Sequence, residues 1–173
     1  MNKYGSSSFE DASGSDLVVV HTADGVLIKG ALESITPAEP ASPSSAVPEA
    51  LHLRCTTGAD ACVVPLPQTK AVFIVKRYEG NPEQDEVRFF SDMDANDVWV
   101  RIRFADGEIL EGQTGNGKHL LSDPGIWLRP FDTTGNNLLV YVPKSSIVVF
   151  HIMGVAIPRQ GKGENHAEPI EAM

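Results

Sequence analysis

The side chains able to do chemistry fall into four groups. Gly112-Gln113-Thr114-Gly115-Asn116-Gly117-Lys118-His119 nearly matches the phosphate-cradling pattern Gly-x4-Gly-Lys-Ser/Thr. That loop needs a hydroxyl for Mg²⁺ and a following helix whose N-terminus faces the phosphates. His119 stands where the hydroxyl belongs, and Pro124 follows too soon for such a helix. Asp92-Met93-Asp94-Ala95-Asn96-Asp97 opens like a calcium-binding loop, but Asp97 and Arg103 replace the glycine and the closing glutamate that the ion requires. Cys55 and Cys62 flank a short loop, and the sequence predicts two buried free thiols there, with a cross-strand disulfide as the alternative. His21, His52, His119, His151 and His166 show no metal-ligand spacing. No nucleophile elbow is present, and no carboxylate pair sits in a segment that would desolvate it. The expectation is a non-enzymatic chain with no catalytic residue, no metal and no cofactor.

The remaining candidates are binding residues. Val98, Val100, Ile102 and Phe104 alternate with Trp99, Arg101 and Arg103, the period of a half-buried strand. The second set shares the outward face. Trp127 and Arg129 extend the candidate interaction face. Tryptophan with arginine is the composition of a protein-binding hot spot, and also of a surface on which single-stranded nucleic acid stacks. Protein contact is the leading expectation.

The elements that must carry these residues are duplicated. Val18–Gly30 and Val100–Gly112 align without gaps at an offset of 82, with five identical positions and three aliphatic exchanges. Each copy contains Ala-Asp-Gly, a hairpin signal, and ends on a glycine that permits a bend. Further short strands are predicted at 51–56, 61–65 and 71–76, then at 125–129, 137–142 and 147–152. Five short strands in about 60 residues predict a small barrel. The fold class is therefore all-β: two tandem five-stranded SH3-like or Sm-like barrels at residues 15–78 and 96–153. A Pro/Ser-rich loop (36–50), an acidic linker (79–95, with one short helix inside 81–93) and disordered termini (1–14 and 154–173) complete the organisation.

The second copy resembles the Sm-like family of Hfq type. Val100–Gln113 resembles its first motif, a strand, an Asp-Gly turn and a bent second strand. Leu139–Val149 resembles its second motif, two short strands across a tight turn. The resemblance implies the barrel and, as the alternative function, RNA binding. Lys144 takes the place of the RNA-contacting lysine, while Pro143 and Ser145 replace its tyrosine and histidine neighbours. Under that alternative, Lys70, Lys144, Arg101 and Arg103 contact RNA. Asp123–Pro130 with Asp132, Asn136 and Asn137 also resembles an uncharacterised bacterial domain family without an assigned activity.

Charge and hydropathy narrow the partners. The formal net charge is −9. Residues 79–97 alone account for −6, seven acids against Arg88. Such a balance disfavours non-specific nucleic-acid binding but leaves a local basic site open. The first ten residues hold no secretory-type apolar stretch, and no run approaches the roughly 18 apolar residues of a membrane span. The expected location is the cytoplasm, without membrane contact. Ala71–Val75 and Ile147–Phe150 are apolar without alternation, so both faces of each are expected to be buried. That requires the barrels to pack together or to pair edge-to-edge with a neighbour. A protein partner or self-association is therefore expected, with RNA as the alternative.

Overall fold

Alternating and continuous apolar runs become ten strands in a computed structural model, which describes residues 16–37, 48–56, 61–79, 96–131 and 135–155. The strands are β1 (Leu17–Thr22), β2 (Leu27–Pro37), β3 (Pro48–Cys55), β4 (Ala61–Pro65), β5 (Thr69–Val75), β6 (Asp97–Phe104), β7 (Ile109–Gly115), β8 (Gly125–Leu128), β9 (Asn137–Pro143) and β10 (Ile147–Val155). One four-residue helix, α1 (His119–Ser122), lies between β7 and β8. The expected helix within 81–93, most of the 36–50 loop and most of the linker and termini lie outside the described residues.

The chain is all-β, but it does not form two separate closed barrels. A seven-stranded sheet runs β4-β3-β2-β1-β5-β9-β8, and a three-stranded sheet runs β10-β6-β7. A single bridge between Gln113 and Arg129, with both backbone bonds at 2.9 Å, joins β7 to the end of β8. The larger sheet mixes strands from both halves because β5 pairs antiparallel with β9. Two apolar cores result. One holds Val18, Val20, Leu51, Leu53, Val72, Ile74, Trp127, Leu139 and Tyr141. The other holds Ala71, Phe73, Val75, Val98, Val100, Ile102, Leu128, Val140 and Val142. Alternate residues of β5 and of β9 thus enter opposite cores, which accounts for their unbroken apolar sequence.

The two Ala-Asp-Gly segments fold alike. The Thr22 amide bonds the Val26 carbonyl and the Gly25 amide bonds the Thr22 carbonyl. The Phe104 amide bonds the Glu108 carbonyl and the Gly107 amide bonds the Phe104 carbonyl in the same way. Only the glycines take positive φ, 87° at Gly25 and 86° at Gly107. This is the three-residue hairpin in which a glycine bulge follows an ordinary turn, and aspartate needs no left-handed backbone there. Gly30 and Gly112 serve close approach. A Cβ at Gly30 would stand 2.9 Å from the Arg54 carbonyl oxygen, and one at Gly112 would stand 2.7 Å from that of Arg129.

Cys55 and Cys62 are joined in a disulfide, not free as the sequence suggested, with Cα atoms 6.0 Å apart. The β3·β4 register explains why. Leu53 lies opposite Cys62, so Cys55 is the diagonal neighbour on the same face, at the spacing a disulfide spans.

Candidate functional site

The outward face of β6 forms the first candidate surface. Antiparallel pairing sets Trp99 opposite Gln113, Arg101 opposite Glu111 and Arg103 opposite Ile109. The Arg101 Nε donates to the Glu111 carboxylate at 2.6 Å. The Arg129 guanidinium donates to Asp97, which is buried among them. The Trp99 ring meets Phe131 edge-on at 5.8 Å. Trp99, Arg101, Arg103 and Arg129 therefore come together as the sequence suggested. Arg101 and Arg129 are each matched by a carboxylate, however, while Arg103 is exposed opposite Ile109, so two of the three positive charges on the face are neutralised.

Trp127 does not belong to that face. It is 8% exposed and packs in the first core against Tyr141, ring centroids 5.0 Å apart. On the outward face of β6 and β7, Arg103 and Ile109 meet solvent, whereas Trp127 on β8 and Leu139 and Tyr141 on β9 pack with Val72 and Ile74 of the other half. Burial pushes the Tyr141 phenol up to about 12, with the nearby Asp123 charge adding to the rise.

The two lysines of the RNA alternative are engaged internally. Lys70 donates to Asp106 at 2.5 Å and to Glu108, and lies 4.8 Å from the Phe104 ring centroid. Burial alone would lower its pKa, but the two carboxylates outweigh burial and raise it. The same contact holds the Asp106 carboxyl below its usual range. Lys144 donates to the Leu121 carbonyl at 2.9 Å. Beside Lys70, a cavity of about 310 Å³ is lined by His21, Asp24, Leu27 and Asp106 among others. Burial lowers the His21 pKa; Glu108 opposes this and Lys70 reinforces it.

Other motifs resolve into structure. Gly112 through Gly115 run within β7 and pair with β6, so their backbone is committed to a ladder and makes no phosphate cradle. Asp97 faces Arg129. No group of three or more His, Cys, Asp or Glu side chains placed to hold a metal occurs among the described residues. No helix among them is long and apolar enough to cross a membrane.

The second candidate surface is one the sequence only half revealed. At the two ends of the sheet path, β4 and β10 each have one hydrogen-bonded neighbour among the described strands. Val63 on β4 is 57% exposed, and Val148, Ile152, Met153 and Val155 on β10 are 39–58% exposed. The unbroken apolar run of Ile147–Phe150 predicts burial on both faces, yet no residue of β10 is fully buried; nothing distinguished Val63 from its buried neighbour Val64.

Residues 14–154 match the model of DUF6982, a family of unknown function, and the chain belongs to that family. No curated protein and no solved structure matches it.

Proposed function

We propose that the chain is a non-enzymatic assembly module, built from two copies of one small Sm-like β-unit, that binds protein through its open sheet edges. One unit comprises β1–β5 and the other β6–β10. Matching registers support the duplication. Val20 faces Val72 where Ile102 faces Phe150, and His52 faces Val63 where Trp127 faces Tyr141.

The observation that carries the reading is the exposure of Val148, Ile152, Met153 and Val155 on the end strand β10, with Val63 on the end strand β4. Folded proteins guard such edges with charge or proline. Here β4 has no charged residue and its proline, Pro65, stands only at its end, while β10 has no proline and carries His151 as its one titratable side chain. Strand addition supplies affinity through backbone bonds and specificity through alternate side chains. The paired charges around Lys70, Arg101 and Arg129 favour this reading over RNA binding.

A photo-crosslinking residue at Val148 tests it in the expressing cell, with Leu121, 88% exposed on α1, as the control position. Protein adducts specific to position 148 are expected. Binding of a labelled U-rich RNA that weakens steeply with salt, without protein adducts, would replace this reading by the RNA alternative.

A further inference from the structure

We infer that the partner of each open edge is a second copy of this chain, joined head-to-tail by antiparallel pairing of β10 with β4. The inference rests on the assembly-module reading and specifies its partner.

The chain already contains one such joint. In β5·β9, Val72 pairs with Tyr141, Phe73 with Val140 and Ile74 with Leu139. The registers within each half identify the equivalents. Against the first strand of its half, Val72 stands where Phe150 does and Ile74 where Ile152 does. Against the third strand, Tyr141 stands where Val63 does and Val140 where Cys62 does. Strand β10 is thus a second β5, and β4 a second β9. The internal joint consumes one of each and leaves one of each without a second neighbour among the described strands.

The side chains report the missing half. Ile74 is 2% exposed and its equivalent Ile152 is 54% exposed; Tyr141 is 5% exposed and its equivalent Val63 is 57% exposed. Repeating the internal register across two molecules places Phe150 opposite Val63, His151 opposite Cys62 and Ile152 opposite Ala61. Phe150 then meets Val63 and Ile152 meets Ala61, His151 meets the disulfide-bonded Cys62, and no ionised pair must be desolvated. Because the two edges differ, the contact is heterologous. It propagates until rotation per joint closes a ring, or continues as a filament.

The test is light scattering with size exclusion on the full chain, over about 1 to 100 µM, a range spanning typical weak and moderate affinities. The variants are Val63→Glu and Ile152→Lys; both sites are more than half exposed, so the fold survives, as unchanged circular dichroism verifies. Wild type is expected to form oligomers. Each variant alone is expected to be monomeric, its dissociation constant raised at least about thirtyfold by a charge placed in an apolar joint. Each retains one intact edge of the opposite kind, so mixing them is expected to restore a 1:1 dimer. Symmetric pairing predicts instead that one variant goes on dimerising alone, and that result overturns the inference. A wild type monomeric throughout also overturns it. In that case adducts at position 148 to a different protein would preserve the assembly-module reading, and their absence would remove both.

Discussion

Strands β5 and β10 hold equivalent places in the two halves and have opposite fates. Thr69–Val75 is buried along almost its whole length, on both faces. No residue of Ile147–Val155 is fully buried. Each is an apolar strand paired with the first strand of its own half, β5 with β1 and β10 with β6. The difference lies in the second neighbour, because β5 has β9 and β10 has none among the described residues. A strand that is apolar on both faces is a demand for cover, and the chain meets that demand once within itself.

The largest effects should come from breaking this contrast in the core. Ile74→Ala removes a 2%-exposed side chain between the two halves and is expected to cost about 3 kcal/mol in urea unfolding. Ile152→Ala, at the equivalent and exposed position, is expected to cost under about 0.5 kcal/mol in dilute solution. Equal costs would mean that β10 is covered within the monomer.

The acceptor edges differ as well. Strand β9 is held by neighbours on both sides, whereas β4 is held by β3 and by the Cys55–Cys62 disulfide. Replacing both cysteines by serine is expected to lower stability by about 2 kcal/mol, on the loop-closure estimate for a short loop, and to raise amide exchange in β4 ahead of β9. Uniform exchange across both strands would count against β4 depending on its cross-link.

Equivalent close approaches should respond equally. Gly30→Ala and Gly112→Ala each drive a Cβ against a carbonyl oxygen, and each is expected to lower the melting temperature by an amount corresponding to about 2 kcal/mol. A loss at one site alone would argue against two copies of one unit.

The smallest effect concerns pH. Burial lowers the His21 pKa, with Glu108 opposing and Lys70 assisting, and its ring lies 4.6 Å from that of Phe73 on β5. The unfolded chain takes up the proton first, so this contribution is complete above about pH 6.5 and declines as pH falls below it. His21→Gln is expected to remove part of the fall in melting temperature between about pH 7.5 and 5.5. An unchanged pH profile would assign the fall to other groups.

Much of this was legible in the sequence because it depends on local periodicity. The Val18–Gly30 and Val100–Gly112 match, the two Asp-Gly turns and the alternating face of Trp99, Arg101 and Arg103 follow from which residues recur at which spacing. The all-β class and the apolar character of β5 and β10 follow in the same way. Tertiary structure decided the rest, because burial and pairing depend on what lies across space. Trp127 and Arg129 are two residues apart on one strand run, yet one enters the core of the other half and the other meets Asp97. The two cysteines form a bond because the register sets them diagonally on one face. Val63 and Val64 are alike in sequence, but Val64 enters the first core while Val63 faces outward from the end strand of the described sheet. An apolar strand in sequence states that it needs a partner. Which strand answers, and whether it belongs to the same molecule, is settled by the geometry of the edges.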